Sequence, residues 1–163
     1  MTSMLNIKII CVGKLKERFY LDAAAEYQKR LGTLCRLEIE ELPEARLPAE
    51  PTEAELEAAL HREAESILLR IPSGAVTVAL CVEGKTVDSV GFSQFLEMCA
   101  LKGKSRICFI IGSSMGLHPE VKESAVLQLS FSPMTFPHHL ARIMLLEQIY
   151  RAFQIQLGSK YHK

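Results

Sequence analysis

The sequence predicts an α/β fold: a mostly parallel sheet with helices on both faces. Three observations carry that reading. Strand-like and helix-like segments alternate along the chain, and the central strands are apolar on both faces. The chain has 163 residues, 48% hydrophobic and 23% charged, which suits a single domain spanning 1–163.

Leu5–Val12 is a buried strand, ended by Gly13. Glu17–Leu31 places Tyr20, Ala23, Ala24, Tyr27 and Leu31 at helical spacing, and Gly32 stops it. Arg36–Leu42 alternates apolar and polar residues, as a half-buried strand does. Pro43, Pro48 and Pro51 make Leu42 to Thr52 a hinge, because proline lacks the donor that a helix or ladder needs. Thr52 and Glu55 form a capping box that starts a helix running to about Arg70. Ala75–Val82 is an apolar strand, Ser89–Leu101 a helix, and Arg106–Ile111 another apolar strand. The glycine-bearing loop Gly112 to Gly116 follows, then a short helix after Pro119 and a fifth strand, Leu127–Phe131. The last element is a helix from about His138 to Leu157, apolar nearly all round, before the tail Gly158 to Lys163.

Charge and composition exclude several classes. No apolar run approaches the ~20 residues of a membrane span, and no signal peptide is recognisable, so a soluble cytoplasmic protein is expected. The five cysteines lack metal or disulfide spacing, and Cys11, Cys81 and Cys108 read as small core residues. The histidines show no metal-ligand spacing either, so no metal is expected. Net charge is zero, yet Glu38 to Glu65 holds ten acids against two arginines, a local net of −8 that leaves +8 elsewhere. A polyanion suits the remainder, whereas the acidic helix reads as a solvated face.

No dinucleotide fingerprint, P-loop or nucleophile elbow is present, which disfavours NAD binding, NTP hydrolysis and serine hydrolysis. Parallel sheets bind ligands at the carboxyl ends of their strands. That directs attention to the loops after Val82, Ile111 and Phe131. Two prolines, Pro133 and Pro137, stiffen the last of these loops, which suits capture of a planar hydrogen-bonding ligand. An all-round apolar final helix needs a second surface, and a homodimer through that helix is the economical expectation.

Five stretches carry a family resemblance: Ile-Cys-Val-Gly-Lys-Leu-Lys-Glu, Ile-Gly-Ser-Ser-Met-Gly-Leu-His, Leu-Ser-Phe-Ser-Pro-Met-Thr-Phe-Pro-His, Leu-Leu-Glu-Gln-Ile-Tyr-Arg-Ala-Phe and the ending Lys-Tyr-His-Lys. In this order they resemble the ribosomal RNA large subunit methyltransferase H family of the SPOUT superfamily, over essentially the whole chain. The resemblance implies a C-terminal trefoil knot, with the part from about residue 75 carrying knot and cofactor site. It implies a homodimer that uses S-adenosylmethionine to methylate N3 of a pseudouridine in 23S ribosomal RNA on assembled ribosomes.

The family's cofactor positions match Leu80, Gly112 and the stretch Phe131, Ser132, Pro133, Met134, Thr135 and Phe136. His138 and Arg142, four residues apart on one helix face, are expected to bind or orient the substrate. Tyr161 and His162 are expected on a mobile tail that completes the site from either subunit. One departure stands out: the family commonly has two glycines where this chain has Gly112 and Ser113. A serine forced to positive φ would be strained, and Ser113→Gly would then be neutral or stabilising. This departure is the support for the alternative reading, a non-catalytic ribosome-binding or assembly factor that retains the fold.

Overall fold

A computed structural model describes residues 4–163. Its elements are β1 (Asn6–Val12), α1 (Arg18–Leu31), β2 (Arg36–Leu42), α2 (Glu53–Arg70), β3 (Val76–Thr86), α3 (Ser89–Leu101), β4 (Arg106–Ile111), α4 (Pro119–Ser124), β5 (Leu127–Ser130) and α5 (His138–Gln156). The five strands form one sheet in the order β2-β1-β4-β3-β5, and every pairing is parallel.

Successive side chains of a strand face opposite sides, so each central strand feeds two cores. Ile7, Ile9, Ile107, Phe109 and Val78 pack with Leu31, Leu96 and Leu145 on the side of α1, α3 and α5. Ile10, Val12, Cys108, Ile110 and Ala79 pack with Ala64, Ile67 and Val121 on the side of α2 and α4. Helices on both faces are therefore present as expected. The capping box is also formed: Glu55 N–H donates to Thr52 Oγ1 at 3.1 Å, and Thr52 N–H donates to Glu55 Oε1 at 3.1 Å.

Four expectations need correction. First, β3 does not end at Val82 but runs to Thr86 through a register shift, in which Leu129 of β5 faces both Leu80 and Lys85. Residues 81–84 are thus expelled from the ladder as a bulge. Gly84 permits it, because a Cβ there would lie 2.6 Å from the Gln128 carbonyl oxygen. Second, Cys11 and Cys108 are core residues, but Cys81 lies on the bulge and is only half-buried.

Third, the segment after β2 is no free hinge, because Ala45 N–H donates to Glu63 Oε2 at 2.9 Å. Fourth, the final helix buries its central apolar residues within one subunit, while Leu140, Ile143 and Met144 stay partly exposed. It lies between α1 and α3 on the sheet, and Leu145, Leu146 and Ile149 are each 0% exposed. Its apolar circumference reflects three covering surfaces, so Ile149 is a core residue rather than an interface residue.

Ile149→Lys is therefore expected to abolish folding instead of yielding folded monomers. An unpaired buried ammonium costs several kcal/mol against a total stability of about 5–15 kcal/mol. Circular dichroism of the purified variant checks this, since a native-like spectrum with a cooperative melt would contradict the placement. Gly84→Ala is expected to lower the melting temperature, measured in the same way, because the β3 bulge must retreat from β5.

Candidate functional site

The carboxyl ends of β3, β4 and β5 open onto a cleft of about 680 Å3. Three segments build it: the β3 bulge, the loop from Gly112 to Leu117, and the loop from Phe131 to Pro137. Of the residues expected to hold cofactor, Leu80, Gly112, Phe131, Ser132, Met134, Thr135 and Phe136 line the cleft. Pro133 is exposed and does not border it.

Close backbone approach shapes the glycine loop. A Cβ at Gly112 would lie 2.3 Å from the Gly116 carbonyl oxygen, so only glycine lets the two ends of the loop meet. Gly116 has φ +81, the left-handed region that glycine tolerates at low cost. Ser113, by contrast, is not at positive φ. It is buried, its hydroxyl donates to Glu63 Oε1 at 2.8 Å, and Ser113 Oγ itself accepts Met115 N–H at 3.3 Å. The expected strain is absent, and with it the support for a degraded cofactor loop.

The proline-framed loop is braced by its serines. Ser132 N–H donates to Ser130 Oγ at 3.2 Å, and Met134 N–H donates to Ser132 Oγ at 3.0 Å. Such side-chain turns hold the backbone open without strand pairing. Lys122 of α4 and Glu83 of the β3 bulge form an ion pair at the cleft wall. Nothing in the local sequence marks that pair.

His138 stands on the cleft wall at the first turn of α5. Its Nε2 lies 3.3 Å from Glu44 Oε1, too poorly aligned for a hydrogen bond. Its ring packs against His139 with centroids 4.1 Å apart. Burial, and then the neighbouring His138 and Arg142, lower the His139 imidazole below its ordinary pKa.

Arg142 shares the helix face with His138, as its spacing demands, but does not border the cleft. It is 3% exposed, donating from Nη1 to Glu41 Oε2 at 2.7 Å and from Nη2 to the Gly13 carbonyl at 3.0 Å. Burial opposes ionisation of Glu41, yet the Leu15 N–H and Arg142 outweigh it and hold the carboxyl below its ordinary pKa. Arg142 thus ties the β1–α1 turn and the end of β2 to α5.

The tail is not free over the cleft of its own subunit. Tyr161 O–H donates to Glu147 Oε2 at 2.6 Å, and His162 Nδ1 lies 3.2 Å from Arg151 Nη1. Burial and the bond to Glu147 push the Tyr161 phenol up to about 12. At 1.5 Å per helical residue, Glu147 and Arg151 stand about 14 and 20 Å along α5 from His138. The structure therefore gathers His138 with the cofactor segments and leaves Tyr161 and His162 apart from them.

The fold also brings together His61, His118 and Glu120, whose ligand atoms lie within 4.8 Å of one another. Both His118 nitrogens are engaged: Nε2 lies 2.8 Å from Glu57 Oε1, and Nδ1 accepts Glu120 N–H at 3.1 Å. The two nitrogens of His118 are thereby occupied by the cap of α4 and by a hydrogen bond to Glu57.

A parallel α/β protein with a cleft at its carboxyl edge, walled by a glycine loop and a braced proline loop, has the architecture of a small-ligand-binding protein. A family model described as "Predicted SPOUT methyltransferase" matches residues 5–162. Proteins called "Ribosomal RNA large subunit methyltransferase H" from Streptococcus uberis and Leuconostoc mesenteroides subsp. mesenteroides are 48% and 46% identical to it, over 98% of this chain and 100% of theirs. A probable methylase family protein from Haemophilus influenzae Rd KW20 shares the fold, with a TM-score of 0.54 at 16% identity over 96% of this chain and 68% of that one. The chain belongs to the SPOUT methyltransferase family.

Ser113→Gly is now expected to destabilise the protein by roughly 1–3 kcal/mol, since it removes a partner from a buried carboxylate. Chemical denaturation checks this, and an unchanged midpoint would show that the Ser113–Glu63 bond contributes nothing. Gly112→Ala is expected to weaken ligand binding in the cleft far more than Gly158→Ala, measured by calorimetry, because only the former displaces the loop.

Proposed function

We propose that the chain binds S-adenosylmethionine in this cleft and methylates N3 of a pseudouridine in 23S ribosomal RNA on assembled ribosomes. The observation that carries the reading is the cleft itself. Its wall combines an apolar floor from Leu80, Leu129 and Phe131 with a glycine that admits no side chain and a loop held open by its own serines. That suits a flat base and a flexible charged tail, and the volume is within the usual range for cofactor pockets. The names of the curated relatives support ribosomal RNA as substrate.

S-adenosylmethionine supplies an electrophilic methyl group on a sulfonium. The protein's part is then mainly to hold the acceptor nitrogen in line and to exclude water. His138 borders the cleft and orients the base, with Glu44 beside its Nε2. Arg142 acts through the Gly13 carbonyl and Glu41, so it is a positioning residue. The N3 proton must leave during transfer, and a polar group at the cleft mouth has to receive it or stabilise the anion.

The protein works as a homodimer. The distance between tail and cleft supports this: Tyr161 and His162 complete a partner's site more readily than their own. Half-exposed Leu140, Ile143 and Met144 on α5, and Phe19 of α1 at 66% exposure, supply apolar contact surface. The chain acts as a single domain, its C-terminal part from about residue 75 threaded as a trefoil knot. Membership of the SPOUT family supports that threading. No helix among the described residues is long and apolar enough to cross a membrane, and action on cytoplasmic ribosomes fits that.

Titration calorimetry is expected to show one S-adenosylmethionine bound per protomer. Absence of heat would favour the non-catalytic ribosome-binding reading. Transfer of labelled methyl is expected on assembled ribosomes with little on protein-free 23S RNA, because a net-neutral chain neutralises few phosphates. Deleting Tyr161, His162 and Lys163 is expected to abolish transfer and leave cofactor binding nearly intact. Full activity of the truncated protein would remove the tail from the site.

A further inference from the structure

The acidic helix α2 is not only a solvated face. Glu63 is 4% exposed and sits beside buried Ala59, Ala64 and Ile67. A carboxylate in such a place costs several kcal/mol unless it is paired or hydrogen-bonded. It has no ion-pair partner within 4 Å among the described residues; its bonds are to the Ser113 hydroxyl at 2.8 Å and the Ala45 amide at 2.9 Å. Burial raises its pKa, Glu44 adds to that, and the Ala45 N–H, Ser113 and His138 oppose it.

Each bond leads to the cleft. Ser113 takes the Met115 amide on its hydroxyl and the Gly116 amide on its carbonyl at 2.9 Å, which closes the glycine loop. Ala45 follows Glu44, whose carboxylate stands 3.3 Å from His138 Nε2. Met115, Gly116 and His138 all line the cleft, whereas Glu63 itself does not. Packing of α2 does not need an acid at this position; alanine would fill the apolar face and strand both donors.

We propose that Glu63 is a positioning residue that locks the glycine loop and the β2–α2 connection together, and thereby sets the shape and cofactor affinity of the cleft. The affinity half of this statement rests on the S-adenosylmethionine reading; the locking half does not. The serine in the glycine loop then has a function: it supplies the hydroxyl that a second glycine lacks.

The test compares Glu63→Ala, Glu63→Gln and Ser113→Ala in the full chain. Glutamine can accept from Ala45 with its oxygen and donate to Ser113 with its amide, so it should restore what alanine loses. Amide hydrogen exchange without ligand reads the locking. Exchange at Ala45 and Met115 should accelerate about tenfold or more in Glu63→Ala, and stay nearer wild type in Glu63→Gln, which keeps both hydrogen bonds though not the charge. Calorimetry should show S-adenosylmethionine Kd weakened about tenfold in Glu63→Ala and much less in Glu63→Gln. In turnover, KM for the cofactor should rise while kcat is largely kept.

Should Glu63→Ala fail to fold, Ser113→Ala removes only the hydroxyl and must still speed exchange at Met115 and weaken Kd. Wild-type exchange and Kd in the folded variants would overturn the proposal. If the wild-type protein binds no S-adenosylmethionine, the cofactor reading fails, and with it the affinity half. The exchange data still decide whether Glu63 locks the loops.

Discussion

Five strands running in one direction put all five carboxyl ends on one edge of the sheet, and everything functional in this protein depends on that constraint. The β3 bulge, the glycine loop after β4 and the proline loop after β5 meet there because β4, β3 and β5 are adjacent. α5 begins on the same edge, so its first turn delivers His138 to the cleft. Parallel pairing requires helical crossovers on both faces, and those helices supply the two hydrophobic cores. The cores hold the edge rigid: each fully buried leucine or isoleucine contributes roughly 1.5–3 kcal/mol.

A rigid edge and the buried anchors Leu15 and Leu117 do not by themselves fix the loops. Buried polar groups do that work. Arg142 gathers Glu41 and the Gly13 carbonyl, while Glu63 gathers Ser113 and Ala45. A buried hydrogen bond to a charged group is worth about 1.5–3 kcal/mol, and leaving such a group unpaired costs more. Loops tied in this way have few alternative conformations. That matters for a transfer reaction in which the protein chiefly positions two partners.

The tail obeys a different balance. Tyr161 and Tyr27 both donate to Glu147 Oε2, at 2.6 and 3.0 Å, and Arg151 lies over the Tyr161 ring at 4.8 Å from its centroid. These contacts dock the last residues on the outer side of α5 rather than over the cleft. Within one subunit the tail and the cleft therefore stay apart.

The sequence alone determined the alternation of elements, the parallel sheet, the capping box at Thr52 and the glycine and proline loops that wall the cleft. Each follows from short-range pattern: apolar periodicity, a hydroxyl three residues before a glutamate, glycine and proline at the end of a buried strand. Tertiary structure alone decided what those patterns touch. Periodicity reports that α5 is apolar all round but not that α1, α3 and the sheet already cover Ile149. It marks Glu38 to Glu65 as acidic but not that Glu63 turns inward to a serine 50 residues away. Nor does it show that Arg142 ends on a carbonyl 129 residues distant, or that β3 continues beyond its bulge. A local pattern says which faces must be buried; which surface buries them, and which distant group satisfies a buried charge, is settled only when the layers close.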